Sequence, residues 1–234
     1  MSNLPIPTPV RRLKHAAFSL LPGRIGLRNR ACLRRLRPSV SPNAFRQALE
    51  RVTPESVCLD CGANLGLYTR PLAERAAKVY AFEPDPWTAA RLRENTADLG
   101  NVEVIEAAVG ASEATIALYR AHGFEADPEG GSVSTTAFAE AATTDLTTRI
   151  EVPQIDLIGF IAGLEAQVSI LKLDVEGAEV EILERLLDHA ALAKLDHVFV
   201  ETHELHIPPL LERTEALRQR TAGLDRPHID LDWR

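Results

Sequence analysis

The residues of this chain that are best suited to chemistry are glycines and acids that follow short apolar runs. The segment DCGANLG, Asp60–Gly66, follows the run Val57–Asp60 and precedes a helical pattern, and Glu83 follows the next run, Val79–Phe82. In an open parallel sheet, ligands bind beyond the carboxyl ends of the strands, where glycines let the backbone approach and helix N-termini offer free amides. We therefore expect these two segments to form one binding site.

This loop is better suited to a cationic ligand than to a phosphate. Its pattern is D-x-G-x-N-x-G, with Asn64 where a dinucleotide fingerprint has glycine, and it begins with the carboxylate of Asp60. Glu83, 23 positions after Asp60, is placed to accept hydrogen bonds from two ribose hydroxyls. An adenosine with a positively charged tail satisfies both acids, and S-adenosylmethionine is such a molecule. The alternative interpretation makes Asp60 a helix N-cap and Glu83 a solvated loop acid.

Five segments of the chain carry a resemblance to a known family. They are, in order, DCGANLGLYT, VYAFEPDP, NVEVIEAAVG, ILKLDVEGAEVEIL and VFVETHE. They resemble the FkbM-type family of S-adenosylmethionine-dependent methyltransferases over about Ser56–Glu204, and KLDVEGAE is the segment that distinguishes that family. The resemblance implies a Rossmann-like class I methyltransferase fold and, usually, methylation of a hydroxyl on a sugar, polyketide or other natural product.

The resemblance also implies which residues contact the cofactor. Loop residues would line its methionine portion, Glu83 would hold the ribose, and the Ala107–Ala108 turn would border the adenine. Many class I relatives carry an acid where Ala108 stands, so adenine recognition here would depend on backbone groups. The full set of expected cofactor contacts is Asp60, Gly62, Ala63, Asn64, Gly66, Tyr68, Thr69, Glu83, Pro84, Ala107, Ala108 and Asp174.

Methyl transfer to a hydroxyl requires in-line placement of donor and acceptor and removal of the hydroxyl proton. Placement lowers the barrier by about 7–11 kcal/mol, and a positioned base adds roughly 10²–10⁴-fold. Asp174 and His203, which follow the fourth and fifth strands, are the favoured base and base-orienter. Glu176 would contact the acceptor or open the next helix, and Glu201 and Lys172 complete the catalytic candidates. In the alternative interpretation, Glu176 only stabilises a helix N-terminus and Lys172 only pairs with Asp174.

A metal is possible at these acids, but we do not expect one. Mg²⁺ held by them would lower the proton affinity of the acceptor, yet no EF-hand-like loop is present. Cys58 and Cys61 form C-x-x-C, and Cys32 adds a single further thiol, one ligand short of a zinc ribbon. His203 and His206 are three apart, whereas HExxH requires four. The expected cofactor is S-adenosylmethionine alone, with S-adenosylhomocysteine as its product.

The apolar pattern predicts a doubly wound α/β sheet, mostly parallel, with helices on both faces. The predicted strands are Val57–Asp60, Val79–Phe82, Val102–Ile105, Val168–Leu173 and His197–Glu201. The predicted helices are Leu67–Ala76, Trp87–Leu99, Ala178–Leu187 and Pro209–Ala222. Between the third and fourth strands, residues 110–154 predict an inserted hairpin of Thr115–Tyr119 and Arg149–Gln154 with a mobile tip.

Composition and charge separate a basic arm from an acidic body. The 234 residues are 45% apolar and 25% charged, as in soluble globular proteins, and three cysteines favour a reducing compartment, the cytoplasm. Residues 1–51 contain eleven basic residues and one acid, whereas 52–234 have a net charge of −17. We expect 1–51 to form a helical cap with one or two short amphipathic helices, and 52–234 to form the methyltransferase domain. A membrane-surface or nucleic-acid patch is the alternative for the arm.

No apolar run is long enough to cross a bilayer, and none is typical of a secretory signal.

The sequence allows more than one arrangement of the last sheet edge and more than one class of methyl acceptor. After Glu201 the chain is one strand shorter than a usual class I methyltransferase, which predicts either a six-stranded sheet or an edge covered by the arm or by a second copy of the chain. We expect a small-molecule acceptor and no transmembrane segment. The alternatives are N-methylation, a nucleic-acid methyltransferase that uses the arm, and a cofactor-binding scaffold without activity. No NPPY or DPPY follows the fourth strand, which disfavours a nucleic-acid substrate.

Overall fold

The computed structural model describes residues 9–36, 41–121, 123–132 and 144–233 of the chain. Its helices are α1 (Pro9–Ser19), α2 (Gly23–Arg35), α3 (Ser41–Leu49), α4 (Thr69–Ala73), α5 (Pro86–Asn95), α6 (Pro128–Ser132), α7 (Leu157–Gly163), α8 (Glu179–Leu187) and α9 (Leu211–Thr221). Its strands are β1 (Val57–Cys61), β2 (Lys78–Phe82), β3 (Val102–Ile105), β4 (Ala108–Gly110), β5 (Ala114–Ala121), β6 (Thr144–Asp156), β7 (Val168–Leu173), β8 (Leu195–Val200) and β9 (His228–Asp230).

The main sheet has six strands in the order β3-β2-β1-β7-β8-β9, and every neighbouring pair is parallel. The chain winds outward from β1 to β3 on one side and from β7 to β9 on the other. This is the predicted doubly wound α/β architecture. The winding reverses between β1 and β7, and this switch point is where open α/β sheets bind their ligands.

Both faces of the sheet are buried, which is why its strands are continuously apolar rather than alternating. On β1, Cys58 belongs to a core with Phe45 of α3, whereas its neighbour Leu59 belongs to a core with residues of α7 and α8. Cys61 also lies on the Leu59 side, so the two cysteines of C-x-x-C point to opposite faces. They cannot bind one metal ion together.

A second sheet of three strands, in the order β4-β6-β5, forms the insert. The antiparallel pair β5 and β6 is the predicted hairpin, with longer strands than predicted. β4 pairs in parallel with β6 and was not predicted, because three residues are too few to show a periodicity. The predicted mobile tip lies mostly in 133–143, outside the described residues.

The basic arm contributes three helices, of which α1 and α2 are the predicted amphipathic pair. Arg34 of α2 lies 3.1 Å from Glu215 of α9, and Phe45 of α3 packs edge-on against Phe199 of β8 with ring centroids 5.1 Å apart. Helix α3 belongs to the arm by sequence but packs into the core of the sheet, so no structural boundary marks residue 51. The division of the chain at that residue stays a prediction.

Within the described residues the main sheet has six strands, which is the six-stranded alternative of the sequence analysis. In the described residues β9 is the last strand, and it pairs in parallel with β8. Trp233, three residues after the end of β9, is buried against Phe45 and Tyr68. None of the described helices is both long enough and apolar enough to cross a membrane.

Truncation of Leu171 to alanine tests the central position of β7. Leu171 is completely buried, so Leu171→Ala should reduce the free energy of unfolding by about 2–5 kcal/mol, because the cavity cannot fully collapse. Urea denaturation measures this loss. Leu67→Ala is the control, since this leucine is 79% exposed and its truncation should change stability by less than about 0.5 kcal/mol. Equal effects of the two substitutions would contradict the assigned core.

Candidate active site at the sheet switch point

The loop after β1 lies directly against the end of β7. Gly62 has a φ of 75°, and the amides of Gly62 and Ala63 donate to the carbonyl oxygen of Phe82 at 3.0 and 2.9 Å. A Cβ at Gly62 would lie 1.8 Å from the carbonyl oxygen of Asp174. Only glycine therefore permits this approach, which joins the expected cofactor loop to the expected catalytic segment.

Asn64 connects this loop to β2 and to the insert. Its φ of 48° is left-handed, a conformation that asparagine tolerates better than most residues. Its amide donates to Glu83 Oε2 at 2.9 Å, and its side-chain oxygen accepts from the Ser132 hydroxyl of α6 at 3.0 Å. Asparagine thus replaces the glycine of a dinucleotide fingerprint without preventing the turn.

Glu83 is buried at the end of β2. Its Oε2 accepts from Asn64 as above, and its Oε1 accepts from the amide of Asp85 at 3.0 Å. Burial raises the pKa of Glu83 to about 7, although both amide bonds favour the charged form. Glu83 is therefore not the solvated loop acid of the alternative interpretation. Its oxygens retain lone pairs that are able to accept from hydroxyl groups.

Asp60 and Lys172 form a buried ion pair beneath the loop. Asp60 Oδ2 accepts from the Thr69 hydroxyl at 2.7 Å, while Oδ1 lies 3.3 Å from Lys172 Nζ in a geometry that makes no hydrogen bond. Lys172 Nζ is also 3.6 Å from Asp174 Oδ2 and 5.7 Å from the centre of the Tyr68 ring. Burial lowers the pKa of Lys172, but the charges of Asp60 and Asp174 outweigh it, and the pKa is raised.

This ion pair changes two expectations. Asp60 does not cap helix α4, whose N-cap is Tyr68. The charge of Asp60 is balanced by Lys172, so the loop is less negative than the sequence pattern alone indicates. Lys172, with only 3% of its side chain exposed, is enclosed beneath the loop instead of facing open space.

Asp174, Glu176 and His203 converge at the ends of β7 and β8. His203 Nε2 lies 3.8 Å from Asp174 Oδ1 and 3.6 Å from Glu176 Oε2. Glu176 has a φ of 52°, a strained conformation that turns its carboxylate toward the histidine. Glu176 precedes α8, which begins at Glu179, so the alternative that placed Glu176 in the first helical turn is wrong.

Glu179 holds His203 from behind. The fully buried carboxylate accepts from the backbone amides of His203 at 3.0 Å and Gly177 at 2.7 Å. His203 Nδ1 lies 3.3 Å from the same carboxylate, which can only accept, so Nδ1 carries the proton and Nε2 is directed toward Asp174 and Glu176. The sequence analysis did not identify Glu179 as a site residue.

The charges around His203 shift two pKa values. Burial lowers the pKa of His203, but the hydrogen bond and charge of Glu179, with Glu176 and Asp174, raise it to about 9. Burial raises the pKa of Glu176 to about 7, although the charge of His203 opposes this. The cluster therefore exchanges protons near neutral and alkaline pH, as catalytic acid–base groups do.

Glu201 lies at the edge of the cluster and contacts the basic arm. Its Oε1 is 3.4 Å from Arg35 Nη1 of α2, and Arg35 also donates to the carbonyl oxygen of Thr202 at 2.8 Å. Burial raises the pKa of Glu201, and the charge of Asp174 adds to the effect. The arm thus supplies a cation to one side of the candidate site.

The insert contacts the other side through two residues that the sequence analysis did not identify. Arg120 of β5 donates to Asp85 Oδ2 at 2.8 Å, and Ser132 of α6 reaches Asn64 as described. Asp85 in turn caps α5 through the amides of Trp87 and Thr88. No local motif marks these residues, because their partners are distant in sequence.

The expected residues therefore form two adjoining groups. The cofactor candidates lie mainly around the ends of β1, β2 and β3, where the amide of Glu83 donates to the carbonyl oxygen of Ile105 at 3.1 Å. Ala108 begins β4 of the second sheet instead of ending a turn. The catalytic candidates lie at the ends of β7 and β8, apart from Lys172, which lies beneath both groups.

The residues present fit an adenosyl cofactor with a charged tail. Gly62 leaves open backbone beside β7, Asp60 retains a buried oxygen without a hydrogen bond, and Glu83 presents a carboxylate at the end of β2. The ligand atoms of Asp174, Glu176 and His203 lie within 4.8 Å of one another, close enough for a divalent cation. The same side chains are also able to exchange protons, because the pKa of His203 is raised to about 9 and that of Glu176 to about 7.

Comparison with known proteins identifies matches over this region. A model of the Methyltransferase FkbM domain matches residues 60–221. Hexuronic acid methyltransferase AglP of Haloferax volcanii is 29% identical over 161 residues, which cover 69% of this chain and 62% of that protein. 2-O-methyltransferase NoeI of Sinorhizobium fredii is 27% identical over 158 residues, which cover 63% of this chain and 64% of that protein. The chain spans less than two thirds of the length of both relatives.

One solved structure carries the same domain description. The FkbM methyltransferase of Methylobacillus flagellatus shares 14% identity and a TM-score of 0.49 with this chain, over 92% of this chain and 53% of that one. The assignment of the fold depends on the strand order of the main sheet.

Substitution of Gly62 by alanine tests the approach of the loop to β7. Because a Cβ there would overlap the Asp174 carbonyl and the φ is positive, Gly62→Ala should reduce the free energy of unfolding by at least about 3 kcal/mol. Urea denaturation measures the change. Gly100→Ala is the control, since a Cβ at Gly100 meets no atom within 4 Å. A Gly62→Ala protein as stable as Gly100→Ala would contradict the described loop.

Proposed function

Because the chain belongs to the FkbM family of S-adenosylmethionine-dependent methyltransferases, we propose that it transfers a methyl group from S-adenosylmethionine to a hydroxyl group of a small metabolite. The observation that carries the proposal is the contact between Gly62 and the Asp174 carbonyl. It brings a loop suited to the cofactor against a cluster suited to proton removal. Two curated relatives are named for methylation of a hexuronic acid and for 2-O-methylation, which supports a sugar-like acceptor.

In this proposal, the loop after β1 and Glu83 hold the cofactor. Glu83 accepts hydrogen bonds from the ribose hydroxyls, and the backbone at Gly62, Ala63 and Asn64 surrounds the methionine portion. Lys172 keeps Asp60 in place, because it neutralises this buried carboxylate. When bound, S-adenosylmethionine would supply an electrophilic methyl group whose leaving group is the sulfonium sulfur, opposite an aligned acceptor oxygen.

His203 is the proposed base for the acceptor hydroxyl. Glu179 binds its Nδ1 proton and directs Nε2 to the space beside Asp174 and Glu176, where the acceptor would lie. With a pKa of about 9, only about one His203 in a hundred is neutral at pH 7. The neutral form is, however, a stronger base than an ordinary histidine, which suits a weakly acidic hydroxyl.

The arrangement of the arm supports a small acceptor over a nucleic acid. Four of its arginines pair with acids of the body: Arg24 with Glu212, Arg30 and Arg34 with Glu215, and Arg35 with Glu201. These ion pairs support the proposal that the arm serves as a helical cap on the body. These cations are therefore compensated and are less able to bind phosphates.

The activity is tested with radiolabelled S-adenosylmethionine and a panel of methyl glycosides that includes one of a hexuronic acid. We expect turnover with at least one glycoside, and we expect His203→Asn to reduce it by at least about 100-fold with unchanged affinity for S-adenosylhomocysteine. Methyl-group transfer only to amines would favour the N-methylation alternative. A parent chain that binds S-adenosylhomocysteine and transfers no methyl group to any acceptor would favour the scaffold alternative.

The pH dependence of turnover tests the pairing of Glu179 with His203. Because the base must be deprotonated, kcat/KM should rise about tenfold per pH unit below pH 9 and level off above it. Glu179→Gln removes a charge that raises the pKa of His203, so the rising limb should move to lower pH. The measurement is the pH profile of kcat/KM for both proteins.

Glu184→Gln is the matched control on the same helix. Glu184 is an outer residue of α8 that pairs with Arg213, so its substitution should leave the profile in place. Affinity for S-adenosylhomocysteine verifies that each variant is folded. An unmoved limb in a folded Glu179→Gln protein would disprove the role assigned to Glu179.

Binding of S-adenosylhomocysteine should depend on pH through Glu83. The pKa of this acid is raised to about 7, so it is mostly protonated at pH 6 and mostly charged at pH 8. A charged carboxylate accepts hydroxyl hydrogen bonds more strongly, so affinity should increase about three- to tenfold over this interval. Titration calorimetry at both pH values measures it, with Glu83→Gln as the control that should abolish the increase. The same increase in Glu83→Gln would assign the effect to another group.

A further inference from the structure

The exposed apolar side chains of the protein are concentrated on the α1–α2 hairpin. Of seven large apolar side chains exposed in the described residues, five lie within positions 13–25. They are Leu13, Phe18, Leu20, Leu21 and Ile25. Leu20 is 86% exposed, Leu13 73% and Ile25 59%. So much apolar surface within 13 positions indicates an interaction site.

The hairpin that carries these side chains has a defined geometry. A Cβ at Gly26 would lie 1.7 Å from the Leu21 carbonyl oxygen, so the turn packs tightly on the start of α2. His15 Nδ1 lies 2.7 Å from Asn29 Oδ1, and Arg30 donates to the Ser19 carbonyl oxygen at 2.9 Å. These contacts fix one face of α1 against α2 and leave the opposite face outward.

On α1, basic residues flank the outward apolar positions. Leu13 and Ala17 are four residues apart and therefore lie on one face of the helix. Arg12 and Lys14 lie about 100° to either side of Leu13, and both are exposed. This order, an apolar stripe with cations on both sides, is typical of helices that lie in a lipid interface.

The charge of the hairpin is of one sign. The first acid of the sequence is Glu50, so no carboxylate belongs to α1 or α2. The arginines of α2 that face α9 pair with its acids, as described. Arg12, Lys14 and Arg28, in contrast, form no ion pair with any residue that the structure describes. The outer side of the hairpin thus combines uncompensated cations with exposed leucines.

We propose that this outer side, defined by Leu13, Leu20, Ile25, Arg12 and Lys14, binds an anionic membrane surface. Apolar side chains would enter the headgroup region while the cations contact lipid phosphates. The occupant is a membrane and not RNA, because exposed leucine and isoleucine add nothing to phosphate binding. A second copy of the same face would bring like charges together. The helix lies on the surface, since no described helix is able to cross it.

The rest of the molecule orients the proposed docking. Residues 52–234 have a net charge of −17, so an anionic surface repels the body and attracts the arm. Arg35 at the end of α2 contacts Glu201 at the candidate site, and α2 has 13 residues, about 20 Å of helix. Ile25 lies near the start of α2 and Arg35 at its end. We therefore expect docking through Leu20 and Ile25 to leave the sheet switch point accessible instead of pressing it against lipid.

Cosedimentation of the full chain with vesicles tests the proposal. The chain should bind phosphatidylcholine vesicles that contain about 30% phosphatidylglycerol at least about tenfold more tightly than phosphatidylcholine alone, and less tightly at about 0.5 M than at about 0.1 M salt. The triple variant Leu13→Ser, Leu20→Ser, Ile25→Ser should lose at least about tenfold in affinity. The triple variant Arg12→Gln, Lys14→Gln, Arg28→Gln should lose a similar factor.

A matched control and three outcomes decide the result. Leu67→Ser with Leu224→Ser removes the two large exposed apolar side chains that the described part of the chain has outside the hairpin, and should leave binding unchanged. Unchanged binding in the serine triple variant would overturn the proposal, because adsorption would then be purely electrostatic. A dimer that this variant converts to a monomer, without vesicle binding by the parent, would identify a second copy as the occupant. Binding of a 20-nucleotide RNA, insensitive to the serine substitutions and without vesicle binding, would identify RNA.

Discussion

The backbone contact between Gly62 and the carbonyl oxygen of Asp174 is the constraint on which the site depends. Parallel strands β1 and β7 are neighbours, but their following segments diverge, one toward α4 and the other toward α8. The missing side chain at Gly62 lets the first segment bend over the end of β7 before it diverges. The loop after β1 and the cluster at the ends of β7 and β8, which belong to different halves of the sheet, are thereby held side by side.

Beneath that contact, electrostatic compensation determines which charges remain available. Lys172 is shared by Asp60 and Asp174, so the buried Asp60 is neutralised within the protein. The other acids of the site, Glu176 and Glu179, lie with Asp174 around a single histidine. A cationic ligand would thus be attracted mainly by the cluster at β7 and β8. The acid at the start of the loop contributes chiefly to the shape of the loop.

The sequence predicted the parts of this structure that depend on local pattern. The strands β1, β2, β3, β7 and β8 are apolar because both faces of the sheet are covered, and the Asp60–Gly66 loop follows from its glycines. β4 was missed because three residues show no periodicity. α7 was missed because it has only seven residues and directly follows the end of strand β6.

The remaining part of the site depends on contacts between distant segments. Glu179 looks like an ordinary first-turn acid of a helix, and only the return of the chain at β8 places His203 against it. The same holds for Ser132 and Arg120, whose partners, Asn64 of the loop and Asp85 at the start of α5, are remote in sequence. When a residue acts through a contact that only the folded chain creates, and belongs to no local motif, a single sequence does not identify it.

The pairing of Arg35 with Glu201 has an evolutionary consequence. Glu201, a half-buried carboxylate beside the candidate site, is paired with Arg35 of α2. The amino-terminal helices and the sheet are therefore not independent modules that can be exchanged freely. Among homologues, we expect positions 35 and 201 to covary: lineages that lose the amino-terminal helices should carry a neutral residue in place of this glutamate, or a new cation beside it.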